Sequence, residues 1–302
     1  MSSTVGSVER ALFDTPGPRA IRRIRMASVV AAFCLLAILG AALVEFGRQG
    51  QLAGDQWALF TRPSIIRFLA KGLTSTLEAA AVAAVIAVPL ALLAAFGRLS
   101  RRRWTRLPSA GYVEFLRAVP VLLLLYVFLL LLPRYGVNVG AFWMLVLPLA
   151  LSNSAALAEI FRAGVLSMDR GQFEASLAIG LTEAQAMRLL IVPQVLRRLA
   201  PALISQAIYL LKGTTLGYVV SYTELLHQAQ TIGEYHNIFE HINGPLIQSY
   251  IVVLVVFVAI NASLAKVARV VERRQVRRYG RGPVAGFTED FMATDEATLH
   301  TH

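Results

Sequence analysis

Six ionisable side chains, Glu78, Glu114, Arg117, Glu159, Arg162 and Lys212, interrupt long apolar runs in a 302-residue chain. A charge held at mid-bilayer costs at least about 2.5–3.5 kcal/mol on insertion scales, so each needs a partner or a task. Glu114 with Arg117, and Glu159 with Arg162, are spaced i,i+3 and can meet on one helix face as structural or gating ion pairs. Lys212 has no acid within one turn. Either it pairs with Glu78 or Glu159 from another segment, or its ammonium faces a translocation path. Thr214 and Thr215 either bond back to carbonyls of the preceding turn or line that path beside it. Enzyme chemistry is not written here: the runs hold no Ser/His/Asp set, no His-Glu-x-x-His and no paired aspartates. A Gly-x-x-x-x-Gly-Lys-Ser/Thr phosphate loop is missing, and Lys212-Gly213-Thr214 has the wrong residue order for one. The chain is therefore expected to hold no cofactor of its own. The single Cys34 allows neither an intrachain disulfide nor a thiolate metal cluster.

The elements that must position these groups follow from composition. Hydrophobic residues make up 56% of the chain and charged ones 16%, with a net charge of +11. Soluble domains carry about a quarter charged residues. The deficit, with basic residues clumped between apolar runs, points to a membrane protein and away from a nucleic-acid binder. A bilayer core of about 30 Å needs roughly 20 helical residues. Six runs qualify: Met26–Val44, Gly72–Phe96, Gly111–Leu132, Val139–Phe161, Leu199–Val220 and Leu246–Val267. They are too long and too uniformly apolar for barrel strands, so the expected class is an all-α integral membrane protein with six transmembrane helices. The first run exceeds a signal-peptide core of roughly 7–15 residues and has no convincing small-x-small cleavage site, so it is expected to remain as an anchor. With the N-terminus cytoplasmic, the segments 1–26, 98–109, 162–198 and 269–302 hold 21 of the 29 basic residues. The positive-inside rule then puts both termini in the cytoplasm.

The longest inner loop, 162–198, has the most informative sequence. Gln172 to Ile179 forms helix readily, Gly180 suits the left-handed position that closes a helix, and Thr182 with Gln185 fits a capping box. Pro193 is expected to limit the second helix, giving two short helices joined at a glycine. The run Glu174-Ala175-Ser176, Gly180, Leu190, Val192, Pro193 resembles the Glu-Ala-Ala, three residues, Gly, nine residues, Ile-x-Leu-Pro signature of ABC-importer permeases. That resemblance implies that Gln172, Glu174, Ala175, Ser176, Gly180, Leu190 and Pro193 belong to coupling helices docking on a separate ATPase dimer, which holds ATP and Mg. It also implies a second permease, a heterodimer being favoured over a homodimer, and an extracytoplasmic solute-binding protein.

Further stretches are similar to the histidine/glutamine-type branch for polar amino acids. These are Gly72-Leu73-Thr74-Ser75-Thr76-Leu77, Tyr112 to Pro120, Ala158 to Gly164, and Leu211-Lys212-Gly213-Thr214-Thr215-Leu216 with Glu224-Leu225 beyond. Ala118-Val119 stand where that branch usually has Gly-Thr. The N-terminal Leu12 to Arg19 and the added first span resemble actinobacterial glutamate-uptake permeases. The resemblance implies a five-helix core, residues 68–270, with alternating access. Ahead of it stand a cytoplasmic tail, 1–25, and an added helix with its outer loop, 26–67; a second cytoplasmic tail, 271–302, follows. An amino acid carries an ammonium and a carboxylate, so Thr76, Glu78, Asn153, Ser154 and Lys212, with Thr214 and Thr215, are candidate path groups for glutamate or a related acidic or amide substrate; basic amino acids are the alternative.

The outer stretch from Glu224 to Pro245 has three glutamates, three histidines and no Lys or Arg. It reads as a hydrated loop where a binding protein could dock, and its histidine spacing is not a metal motif. Arg273 to Arg278 is expected to anchor the last span at anionic lipid. The rival class is a self-contained ion-coupled transporter, which leaves the coupling signature unexplained.

Overall fold

The computed structural model describes residues 17–51, 54–239 and 245–279. Among these residues there are helices and turns but no strand. The chain divides into two compact units, residues 1–60 and 61–302.

The first unit is built on α1, Pro18–Arg48, whose proline occupies an early position where the missing N–H is no loss. Its apolar side chains, from Ile21 to Val44, stand exposed around the whole circumference. Residues 21–48 are long and apolar enough to cross a membrane. A helix hydrophobic all round belongs in lipid. A five-residue helix, α2 (Gly54–Ala58), follows.

The second unit begins with α3, Pro63–Leu99. Its buried face is a ladder of small residues, Thr76, Ala79, Ala83, Ala87, Ala91 and Ala95, all at most 3% exposed. Small residues at this spacing let two membrane helices approach closely. The partner is α6, Ala141–Leu166, whose Leu145, Val146, Leu149, Ala150, Ala155 and Ala158 share one core with the ladder.

Between them the expected single span over residues 111–132 is broken. Helix α4 (Arg103–Ala118) and helix α5 (Val121–Arg134) meet at a bend of 97°. The cause is Pro120: the residue before a proline is driven from helical to extended backbone, and Val119 has φ −84 and ψ 121.

After α6 come α7 (Arg170–Ala178), the three-residue α8 (Glu183–Gln185) and a π turn over Ala186–Ile191. The π turn runs directly into α9, Val192–Gly213. A 3-10 segment, Thr214–Val220, continues α9. Helices α10 (Leu225–Phe239) and α11 (Leu246–Tyr279) complete the described chain.

Four helices meet the length and apolarity of a membrane crossing, or five if the bent α4–α5 pair is one span. The expected fifth, Leu199–Val220, is not among them. Regular helix ends at Gly213 and tightens to 3-10, and Arg197 and Arg198 in the second turn reduce the apolar character of α9.

Candidate functional site

The inner loop is assembled by local capping chemistry. Asp169 caps α7, its Oδ1 accepting the Gly171 N–H at 2.8 Å. At the other end Gly180 has φ +90. Its N–H donates to the Leu177 carbonyl at 3.0 Å and the Leu181 N–H to that of Ser176 at 3.2 Å, the paired closure of a helix that ends on a left-handed residue. Thr182 and Gln185 form the expected capping box, with Thr182 Oγ1 accepting the Gln185 N–H at 3.3 Å and Gln185 Oε1 accepting the Thr182 N–H at 2.9 Å.

Pro193 departs from expectation: it does not end the second helix. It lies in the first turn of α9 just past the π turn, where the change of hydrogen-bond register leaves its missing N–H without consequence. The second short helix is thus the leading end of α9. Of the coupling candidates, Gln172, Glu174, Ala175 and Gly180 are exposed, as is Ile179 at 79%. Ser176 is buried, its Oγ donating to the Phe173 carbonyl at 2.6 Å. Leu190, half-buried, packs with Phe173 and Met187 against Met168, Ile191 and Val195, and Pro193 is half-buried beside them. The loop therefore has an outward acidic and apolar ridge on a packed base, further tied by Arg101 to Glu183 at 2.9 Å.

The intramembrane charges collect on one carboxylate. Glu159 on α6 accepts from Arg98 at the end of α3 at 2.8 Å, and from Arg162 one turn on; Arg117 of α4 stands 4.0 Å away. The expected Glu159–Arg162 contact is present. The expected Glu114–Arg117 pair is not: Glu114 reaches Arg98 at 3.6 Å and Arg117 turns to Glu159. Physically, Glu159 is only 23% exposed and Glu114 70%, so the less hydrated carboxylate draws the cations. Arg98 was not singled out by sequence. Its partner is 61 residues away, and no local spacing signals it.

Five of the seven path candidates make side-chain hydrogen bonds within the chain. Thr76 Oγ1 accepts the Leu225 N–H at 3.1 Å and donates to the Gly72 carbonyl. Asn153 donates to Gln206 at 3.2 Å, and Ser154 shares a 2.6 Å hydrogen bond with Tyr112. Thr214 and Thr215 bond back to the carbonyls of Leu211 and Lys212. Thr76, Asn153, Ser154 and Thr214 are buried within the chain, whereas Glu78 and Lys212 are exposed on its surface. Lys212 forms an ion pair with neither Glu78 nor Glu159 among the described residues.

The outer stretch is not the hydrated loop expected. Most of it is α10, with Leu225, Gln228, Ala229 and Ile232 buried. Glu224, expected in a motif and in the hydrated loop, is fully buried at its head. Glu240 and His241 lie outside the described residues.

Among the described residues the fold is all-helical, with long apolar helices and a capped elbow between α6 and α9. Residues 87–277 match the family described as binding-protein-dependent transport system inner membrane component, and the chain belongs to that family. The probable glutamine ABC transporter permease protein GlnP of Bacillus subtilis is 32% identical over 211 residues, 70% of this chain and 94% of the relative. The glutamate transport system permease protein GluD of Corynebacterium glutamicum is 29% identical over 229 residues, 74% of this chain and 81% of that one. A crystal structure of an amino acid ABC transporter with histidines superimposes with a TM-score of 0.63 at 31% identity, covering 69% of this chain and 94% of its own. The protein is an amino-acid ABC importer permease subunit. Family membership implies ATPase and substrate-binding protein partners.

Proposed function

We propose that this permease moves glutamate, or a related acidic or amide amino acid, by alternating access, with both termini in the cytoplasm and a second, similar permease completing the pathway as a heterodimer. The likeness to GluD over 81% of that protein carries the substrate reading. Lys212 supplies fitting chemistry: an ammonium on the surface of α9, without an ion-paired acid among the described residues, suits a substrate carboxylate. The exposed ridge of Glu174, Gly180 and Ile179 is the surface that docks on the ATPase, whose nucleotide-driven closure moves α6 and α9 through the packed base of the loop.

The test is uptake of labelled glutamate by the chain assembled in liposomes with its ATPase, binding protein and partner permease. Uptake that stops with Lys212→Met, while assembly and ATPase activity persist, supports the reading. Undiminished uptake removes Lys212 from the path. A second reading follows from the 31%-identical structure described with histidines: competition by histidine and arginine, but not by glutamine or aspartate, favours basic substrates.

A further inference from the structure

The link between the 3-10 segment and α10 hides a carboxylate. Glu224 is fully buried, and both of its oxygens accept backbone donors of α10 at 2.8 Å, Oε2 from Leu226 and Oε1 from His227. The seat closes from several sides. A Cβ at Gly217 would lie 2.9 Å from Glu224 Cγ, with Leu145 of α6 and Tyr222 at 3.1 and 3.3 Å. The chain enters this seat through Ser221 at φ 55, the one non-glycine left-handed residue among those described.

The same turn fastens α10 onto α3. Leu225 donates its N–H to Thr76 Oγ1, and the Tyr222 hydroxyl donates to the Ser75 carbonyl at 3.0 Å. Gly72 leaves room for the contact: a Cβ there would lie 2.7 Å from Gln228 Cγ and 3.0 Å from the Leu225 backbone. Moving α10 off α3 therefore breaks the bonds that flank Glu224 on both sides, at Tyr222 and Leu225.

Two opposing effects act on the seated carboxyl. Backbone donors at a helix start favour the charged form, while burial without a cation disfavours it. Burial is the larger, and pushes Glu224 up to about 7 against the backbone bonds to Leu226 and His227. The titratable groups around it are Tyr222 in the link, Glu78 on α3, whose charge bears on Tyr222, and His227 on α10. From α6 and the 3-10 segment, Leu145 and Gly217 lie at the seat. The His227 Nδ1 is buried without a hydrogen-bond partner.

We propose that Glu224 is a positioning residue that links the seating of α10 on α3 to one proton: the seated helix holds the carboxyl protonated, and unseating releases that proton to the outer water. The neutral acid still accepts through its carbonyl oxygen. Once hydrated, the group returns from about 7 to its ordinary 4.5. A folded-state value raised above the open-state value gives stability that is full below the lower one and lost as pH rises through the upper one. Opening of the seat thus increases by about tenfold per pH unit across this window and levels off above it.

Hydrogen exchange of the full-length chain in lipid nanodiscs reads this directly, followed on peptides spanning residues 225–235 and corrected for intrinsic exchange rates. Protection is expected to fall at least about tenfold between about pH 5 and 7.5. His227→Gln should keep that fall, Glu224→Gln should flatten it, and Thr76→Val should lower protection at every pH with the slope retained. A flat wild-type profile overturns the proposal, as does a slope that survives in Glu224→Gln or disappears in His227→Gln. Should Glu224→Gln not insert, the wild-type and His227→Gln profiles decide by the same criteria.

Discussion

Glu159 is the residue on which three helices agree. Arg98, Arg117 and Arg162 approach it from α3, α4 and α6 itself, so its loss removes the one carboxylate that all three share among the described residues. Glu159→Gln keeps the shape and removes the charge. The expected cost is about 1–3 kcal/mol, the penalty of stranding partly buried charged donors, seen as a lowered melting temperature in detergent. Glu114→Gln, at a 70%-exposed side chain, should shift melting little, since exposed pairs contribute about 0–1 kcal/mol. The contrast separates the hub from its periphery. Sequence spacing found Glu159–Arg162 because the pair is one turn apart. It could not find Arg98, and it paired Glu114 with Arg117, because the i,i+3 rule sees one helix and the winning contacts run between helices.

Among the elements, the elbow between α6 and α9 was the most legible in sequence. Its boundaries are set by residues within three or four positions of one another: Asp169 with Gly171, Gly180 with Leu177, Thr182 with Gln185. The π turn was not legible, since it arises where the helix base packs on Met168 and Val195, and it turned Pro193 from a stop into an interior residue. Gly180→Ala must hold φ +90 with a Cβ, at a cost of about 1–2 kcal/mol. Faster exchange across residues 170–181 and a weaker ATPase response to substrate are the expected outcomes. Glu174→Lys, exposed and outside the cap bonds, should leave that exchange unchanged yet uncouple uptake from ATP hydrolysis. Together the two variants distinguish the shape of the elbow from its charge. The break in the α4–α5 span could have been anticipated from Pro120, but an uninterrupted apolar run masks a change of direction.

At the scale of the whole molecule, the contact pattern separates residues 1–60 from residues 61–302. A chain beginning at Thr61 should accordingly keep the melting transition of the larger unit, within a few degrees, when compared with the full chain in detergent. The 97° bend at Val119–Pro120 has a consequence for hydration. Where two helices end and begin, the last carbonyls of one and the first N–H groups of the other lose their intrahelical partners, and hydrocarbon does not tolerate such groups facing lipid. The corner must therefore be wetted or met by polar protein, which fixes a depth marker in the bilayer. In a Cys34→Ser background, a cysteine at Leu123, beside the corner, should react with a water-soluble maleimide. One at Leu130, further along the apolar α5, should stay unlabelled. The corner would then be a moist notch cut into an otherwise dry wall.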